Sequence, residues 1–141
     1  MRQASAPSPT EGLDSDSETV IIVEPDTGLL RALRFDLELD GFAVQTHRSI
    51  ASLTPSTLPL AKACLVIEDN LPGANGVELL QRLRSADIHL PAVIMTSLPT
   101  AALGSRVEAL GAVMLEKPLL GGALTMAVRR LIACSQDASP P

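Results

Sequence analysis

The sequence predicts an α/β fold built on a five-stranded parallel sheet covered by helices on both faces. Three observations predict it. Five short runs are continuously apolar, as strands buried on both sides must be. Those runs alternate with segments whose apolar residues recur at helical spacing. Glycines, prolines and short acidic turns punctuate the boundaries.

In chain order, "TVIIVE" (19–24) reads as the first buried strand. "TGLLRALRFDLELDG" (27–41) follows as a helix with Leu30, Leu33 and Leu37 on one face and Gly41 as its stop. "FAVQT" (42–46) is the second strand. The stretch after it predicts a weak helix from Ser49, interrupted by Pro55 and Pro59. "ACLVIE" (63–68) is the third strand. "NGVELLQRLRSA" (75–86) is a helix with Asn75 as N-cap and Glu78 three residues on, as in a capping box. "PAVIMT" (91–96) is the fourth strand, and "AALGSRVEALG" (101–111) a helix ended by Gly111. "AVMLE" (112–116) is the fifth strand, and "LLGGALTMAVRRLI" (119–132) a last helix weakened by Gly121 and Gly122.

The flanks differ from this pattern. Residues 1–18 are rich in Ser, Pro and acids and predict a disordered tail, as do residues 134–141; residues 19–133 form the one expected domain. Of the net charge of −5, the first 18 residues supply −3, with Arg2 set against Glu11, Asp14, Asp16 and Glu18. The remainder is nearly balanced, which speaks against nucleic acid as a partner. No apolar run approaches the length of a membrane span, and the N-terminus has no signal-peptide core. Cys64 and Cys134 lack metal-ligand spacing and are expected as reduced thiols of a cytoplasmic protein. His47 and His89 are expected to be solvated.

In a parallel sheet of this kind, ligands sit at the carboxyl ends of the strands. The residues there are Glu24-Pro25-Asp26, Glu68-Asp69-Asn70, Thr96-Ser97 and Lys117-Pro118. Two acidic turns, a hydroxyl and a lysine are thereby brought to one edge. Any one of these alone is an ordinary loop; the ordered set is specific.

With these residues the sequence resembles the receiver domain of two-component response regulators, from about Thr19 to Ile132. The resemblance implies a flavodoxin-like, doubly wound sheet of strand order 2-1-3-4-5. In that family an acid pair after strand one and an Asp ending strand three bind Mg²⁺. That Asp accepts a phosphoryl group from a histidine kinase, and a Thr or Ser and a Lys contact its oxygens. The acceptor lies four residues before the Pro of a "D-x-x-L-P-G" segment, so Pro72 places the acceptor position at Glu68. Thr96 matches the hydroxyl and Lys117 the lysine. The resemblance also implies a Lys117-Pro118 peptide that is often cis.

The departures bear on chemistry. The acid pair falls on Glu24 and Pro25, and proline offers no side-chain oxygen. Glutamate at 68 moves its oxygens by about one bond length, and a misplacement of ~1 Å can cost ~100-fold in rate. Ordinary aspartyl phosphorylation is therefore not expected. No cofactor is required, and Mg²⁺ held by Glu24, Asp26 and Glu68 is expected to be weak or absent. Asp26 is expected to cap the first helix, and Asp69 to point away from Glu68. Glu68 is expected to pair with Lys117, with Thr96 as a further donor. That arrangement either mimics the phosphorylated state or is a structural ion pair.

The expected function is that of an atypical, stand-alone receiver, not an enzyme, acting by protein–protein contact. Its partner is a histidine kinase, another regulator or a second copy. The resemblance places partner contacts on the fourth helical segment, the fifth strand and the last helix, where Arg106, Glu108, Met114, Arg129 and Arg130 are candidates. Met114 stands where the family often has an aromatic switch. Three alternatives remain open. One is a conventional phospho-accepting receiver using Glu68 or Asp69 with Mg²⁺. Another is the receiver portion of a longer regulator. The third, a flavodoxin-like cofactor binder, is disfavoured because "EPDTG" replaces a Gly-rich loop.

Overall fold

The computed structural model describes residues 17–59 and 61–137. Five strands, β1 (Thr19–Val23), β2 (Ala43–His47), β3 (Ala63–Glu68), β4 (Ala92–Thr96) and β5 (Val113–Glu116), pair in parallel in the order β2-β1-β3-β4-β5. This is the flavodoxin-like topology. Four α-helices occur among the described residues: α1 (Thr27–Leu39), α2 (Gly76–Ser85), α3 (Ala101–Ala109) and α4 (Ala123–Asp137). The expected 1–18 and 134–141 tails lie partly outside the described residues.

Strand alternation builds two cores from one sheet. Val20, Ile22, Cys64, Val66, Val93 and Met95 pack against Leu30, Leu33 and Leu37 of α1 and Leu124, Val128 and Ile132 of α4. Ile21, Val23, Leu65, Ile67 and Ile94 pack on the other side against Leu79, Leu80 and Leu83 of α2 and Val107 of α3. Apart from Phe42 on the α1–α4 side, the described members of both are not aromatic, as a chain with two aromatics requires. Burying each such side chain contributes on the order of 2 kcal/mol.

Side-chain caps fix where the helices start. Asp26 Oδ1 accepts from Leu29 N at 3.1 Å, Asn75 Oδ1 from Glu78 N at 2.8 Å, and Thr100 Oγ1 from Leu103 N at 3.0 Å. At the far end of α2, Arg84 donates to the carbonyls of Ile88, Leu90 and Leu110 at 3.0, 2.7 and 3.2 Å. One side chain thus ties α2, the following loop and the end of α3 together.

Three expectations are corrected. The helix expected from Ser49 is replaced by two 3-10 turns, Ile50–Ser52 and Pro55–Thr57. Pro55 can begin a turn but Pro59 cannot continue one, so no α-helix propagates. The last helix begins at Ala123 rather than Leu119, after Gly121 at φ +54°, and runs on to Asp137. Residues 134–137 therefore belong to α4 and not to a tail. His47 is buried, with its ring nitrogens 2.7 Å from Ser52 Oγ and 2.6 Å from Gln45 Oε1. His89 is exposed and lies 2.9 Å from Asp87 Oδ1.

Candidate functional site

The sheet register brings Glu24 and Glu68 together. Val23 lies opposite Ile67 in the β1–β3 pairing, so the next residue of each strand is an acid beside an acid. Both share the parity of Val20, Ile22, Cys64 and Val66, whose side chains face α1 and α4. Their exposures are only 1% and 6%, which leaves two like charges side by side and out of water. Such a pair needs a cation.

Lys117 supplies it. The β4–β5 pairing sets Thr96 opposite Glu116, and Lys117 N donates to Thr96 O at 2.8 Å, so the lysine enters directly past the strand end. Its Nζ donates to Glu68 Oε1 at 2.5 Å and to Glu24 Oε1 at 3.2 Å. The second oxygen of each carboxylate is taken by backbone. Glu68 Oε2 accepts from Asn70 N at 2.7 Å, and Glu24 Oε2 from Asp26 N at 3.0 Å. The Lys117-Pro118 peptide is cis.

The charges respond to this environment. Burial pushes the Glu24 carboxyl upward; the Asp26 amide and Lys117 pull it back without cancelling the rise. Burial opposes the charge on Lys117, but its bonds to Glu68 and Glu24 prevail and hold the ammonium above the ordinary lysine value. Asp69 is raised by partial burial and by Glu68, against the pull of Arg106. Asp69 follows the end of β3 and lines the same cleft as Glu68.

The other expected residues fall as follows. Thr96 is buried at 2% exposure and its Oγ1 accepts from Leu98 N at 3.0 Å. Its hydroxyl is not among the partners of the Glu68 carboxylate. Glu24, Pro25, Glu68, Asp69, Thr96 and Lys117 line one open cleft with Asn70, Asn75, Ser97 and Leu98. Asp26 is occupied as the cap of α1 and lines no part of it. Among the described residues, no three His, Cys, Asp or Glu side chains gather as a metal-holding group. Cys64 is buried, its thiol pushed up to about 12, and Cys134 is exposed.

On the α3–β5–α4 side, Arg106, Glu108 and Arg130 are exposed and Met114 is half-buried against the α2–α3 core. Arg129 is exposed as well and is also engaged within the chain. Its guanidinium stacks 4.8 Å from the centre of the Phe42 ring and donates to Asp40 O at 2.6 Å. It belongs to the contact between α1 and α4. Sequence reasoning missed two features of the site. Glu24 shares Lys117, a link legible only once β1 and β3 are known to be neighbours in register. His47 is sealed by turns that no periodicity announced.

Comparison with known proteins gives a consistent result. Residues 20–129 match the family model described as the response regulator receiver domain. The chain is 32% identical over 123 residues to the transcriptional regulatory protein FixJ of Azorhizobium caulinodans, covering 86% of this chain and 58% of that protein. It is 29% identical to FixJ of Rhizobium meliloti, covering 84% and 61%. The chain thus spans about three fifths of the length of these relatives. The crystal structure of FixJ-N superimposes with a TM-score of 0.73 at 27% identity, covering 84% of this chain and 95% of that one. A CheY-like receiver domain protein from Methanospirillum hungatei gives 0.79 at 16% identity, covering 88% and 100%, which is a likeness of fold.

Proposed function

The chain belongs to the response regulator receiver family, and we propose that it is an atypical member that signals by protein contact without ordinary aspartyl phosphorylation. One observation carries the reading. The carboxylate at the acceptor position is that of Glu68, buried, with one oxygen on Lys117 and the other on a backbone amide. A carboxylate that is to attack a phosphoryl group needs a free oxygen aligned in-line and a metal to spread the charge. Here both oxygens are engaged. Lys117, which in the family contacts a transferred phosphoryl group, is engaged by an acid already in place.

The residues also fit Mg²⁺ poorly. The ion demands near-octahedral hard oxygens. The two inward carboxylate oxygens share an ammonium, Pro25 offers none, and Asp26 caps α1. The receiver is accordingly read as set in one state, with recognition on the α3–β5–α4 side through Arg106, Glu108, Met114 and Arg130. Its partner class is a signalling protein, a histidine kinase or another regulator, or a second copy. No described helix is long and apolar enough to cross a membrane, and a cytoplasmic, non-enzymatic role is part of the same proposal. The retained Thr96 and Lys117 favour a second reading, phosphoryl transfer to Glu68 as it stands. Intact mass after incubation with a small-molecule phosphodonor and Mg²⁺ separates the two. The proposal expects unmodified protein, and an added phosphate lost to hydroxylamine would select the second reading.

A further inference from the structure

We propose that the outer face of α1 is a docking surface for a second copy of this chain, seated antiparallel across a two-fold axis. Leu30, Leu33 and Leu37 turn one side of α1 into the core. The opposite side carries Gly28, Ala32, Phe35 and Leu39, at steps of four, three and four residues, the spacing of a seam between two helices. All four are exposed, Phe35 at 62% and Leu39 at 70%. Two large apolar side chains one turn apart make a continuous patch rather than scattered exposure.

Size is graded along this face, with the small residues toward the start of α1 and the large ones toward its end. Turned end for end about a point between Leu33 and Arg34, a second α1 sets Phe35 against Ala32 and Leu39 against Gly28. Each large side chain then meets a small one, which lets the two helices come close. Gly28 has a use in this pairing. Glycine is the poorer helix former by up to about 1 kcal/mol relative to alanine, and a Cβ at this position would meet only Asp26 Oδ1, at 3.4 Å. Packing within the chain gives glycine no purpose there, whereas Leu39 of a second copy needs the room. Charge is graded in the same way. Arg31 and Glu38 flank the same edge of the stripe, seven residues apart, too far to meet within one helix. Arg31 has no ion-pair partner among the described residues. Glu38 is held by Arg34 at 3.1 Å and is still half exposed, so it can accept a second guanidinium. The antiparallel register that matches size also brings Arg31 of each copy to Glu38 of the other, twice across the axis. A face self-complementary in both size and charge under one two-fold rotation fits a second copy. A helix pair alone buries less than the ~1,200 Å² of a stable interface, so the dimer is weak and forms with rising concentration. α3 and β5 take no part in it and stay open to a signalling partner. The pairing goes beyond the functional reading and is independent of the state of Glu68.

The test is sedimentation velocity of the full chain from about 5 to 500 μM, without phosphodonor or Mg²⁺. Wild type is expected to pass from monomer toward dimer across that range. Phe35→Glu, at an exposed position, is expected to stay monomeric with an unchanged circular dichroism spectrum and melting temperature. Arg31→Glu is expected to weaken association by about 10-fold. Arg31→Glu with Glu38→Arg is expected to restore it to within about threefold of wild type, because the exchanged charges meet only between copies. Ser105→Arg, exposed on α3, should leave association unchanged. A wild type that stays monomeric at every concentration overturns the proposal and gives the stripe to a different protein. A dimer that survives Phe35→Glu, or is lost in Ser105→Arg, overturns it in favour of another face. A charge exchange that restores nothing overturns the antiparallel pairing. Because no phosphodonor enters, failure here is separate from failure of the functional reading, which intact mass decides.

Discussion

Lys117 is placed where the loss of its charge is felt twice, by Glu24 and by Glu68. Its removal leaves two buried carboxylates facing each other, so Lys117→Ala should cost about 2–4 kcal/mol, a value discounted for partial exposure. Arg130→Ala, on the exposed side of α4, should change stability by under about 0.5 kcal/mol. Urea denaturation followed at a helix band measures both, since the chain has no Trp or Tyr to report. Equal, near-zero effects would mean the ion cluster is not formed. The pH dependence has a definite sign. The folded pKa of Lys117 lies above the ordinary lysine value of about 10.4, so its contribution is complete below that value and is lost as pH rises through the higher folded one. The alkaline fall in stability should be shallower in Lys117→Met. His47 works in the opposite sense. Burial lowers its pKa, so its contribution is complete above about pH 6.5 and fades as pH falls through the lower folded value. His47→Gln should flatten that part of the acid limb. At this scale Glu68, Thr96 and Lys117 were legible because motif spacing fixes them. The burial of His47 and the stacking of Arg129 on Phe42 were not, because both depend on which loop or helix lies across from them.

At the scale of elements, β3 and α2 meet more closely than their sequences announce. A Cβ at Gly76 would lie 2.5 Å from the carbonyl oxygen of Glu68 and 2.9 Å from Ile67 Cγ2. Gly76 N meanwhile donates to Asp69 O at 2.9 Å, closing the turn that carries the acceptor position into α2. Gly76→Ala must push the helix start away from the strand end, at about 1–3 kcal/mol. Because the displaced carbonyl belongs to Glu68, the variant should also expose Lys117 to amine labelling. An alanine variant with wild-type stability and labelling would contradict this packing. The strands were legible because buried parallel strands are unbroken apolar runs, and α2 because its cap and stripe agree. The second connection was misread because Ile50 and Leu53 imitate helical spacing, while Pro55 and Pro59 leave room only for 3-10 turns. The last helix was misread at both ends. Gly121 and Gly122 hold its start back to Ala123, and nothing polar in "ACSQD" stops it at Ile132.

Over the whole molecule, the fold does one thing for function. It gathers residues 24, 68, 96 and 117, separated by most of the chain, at the carboxyl edge of one sheet. Sequence spacing sufficed to name that edge, since a parallel sheet leaves few alternatives. What it could not give was that Lys117, entering past the last strand, reaches both adjacent acids, which needs the register of neighbouring strands. That contact is the basis of the central claim, that ion pairing has replaced phosphoryl transfer. The most direct test compares wild type, Glu68→Asp, Pro25→Asp and the double variant with a small-molecule phosphodonor and Mg²⁺. Glu68→Asp shortens the acceptor but keeps the acids in balance with Lys117. Pro25→Asp adds an acid but leaves the acceptor too long. Groups that act as a unit are not additive, so each single variant should stay nearly inert and the double variant should label. Intact mass reads the added phosphate, and hydroxylamine should remove it. The account predicts labelling of the double variant alone. Wild type labelling as well as the double variant, or Glu68→Asp labelling fully by itself, would contradict it.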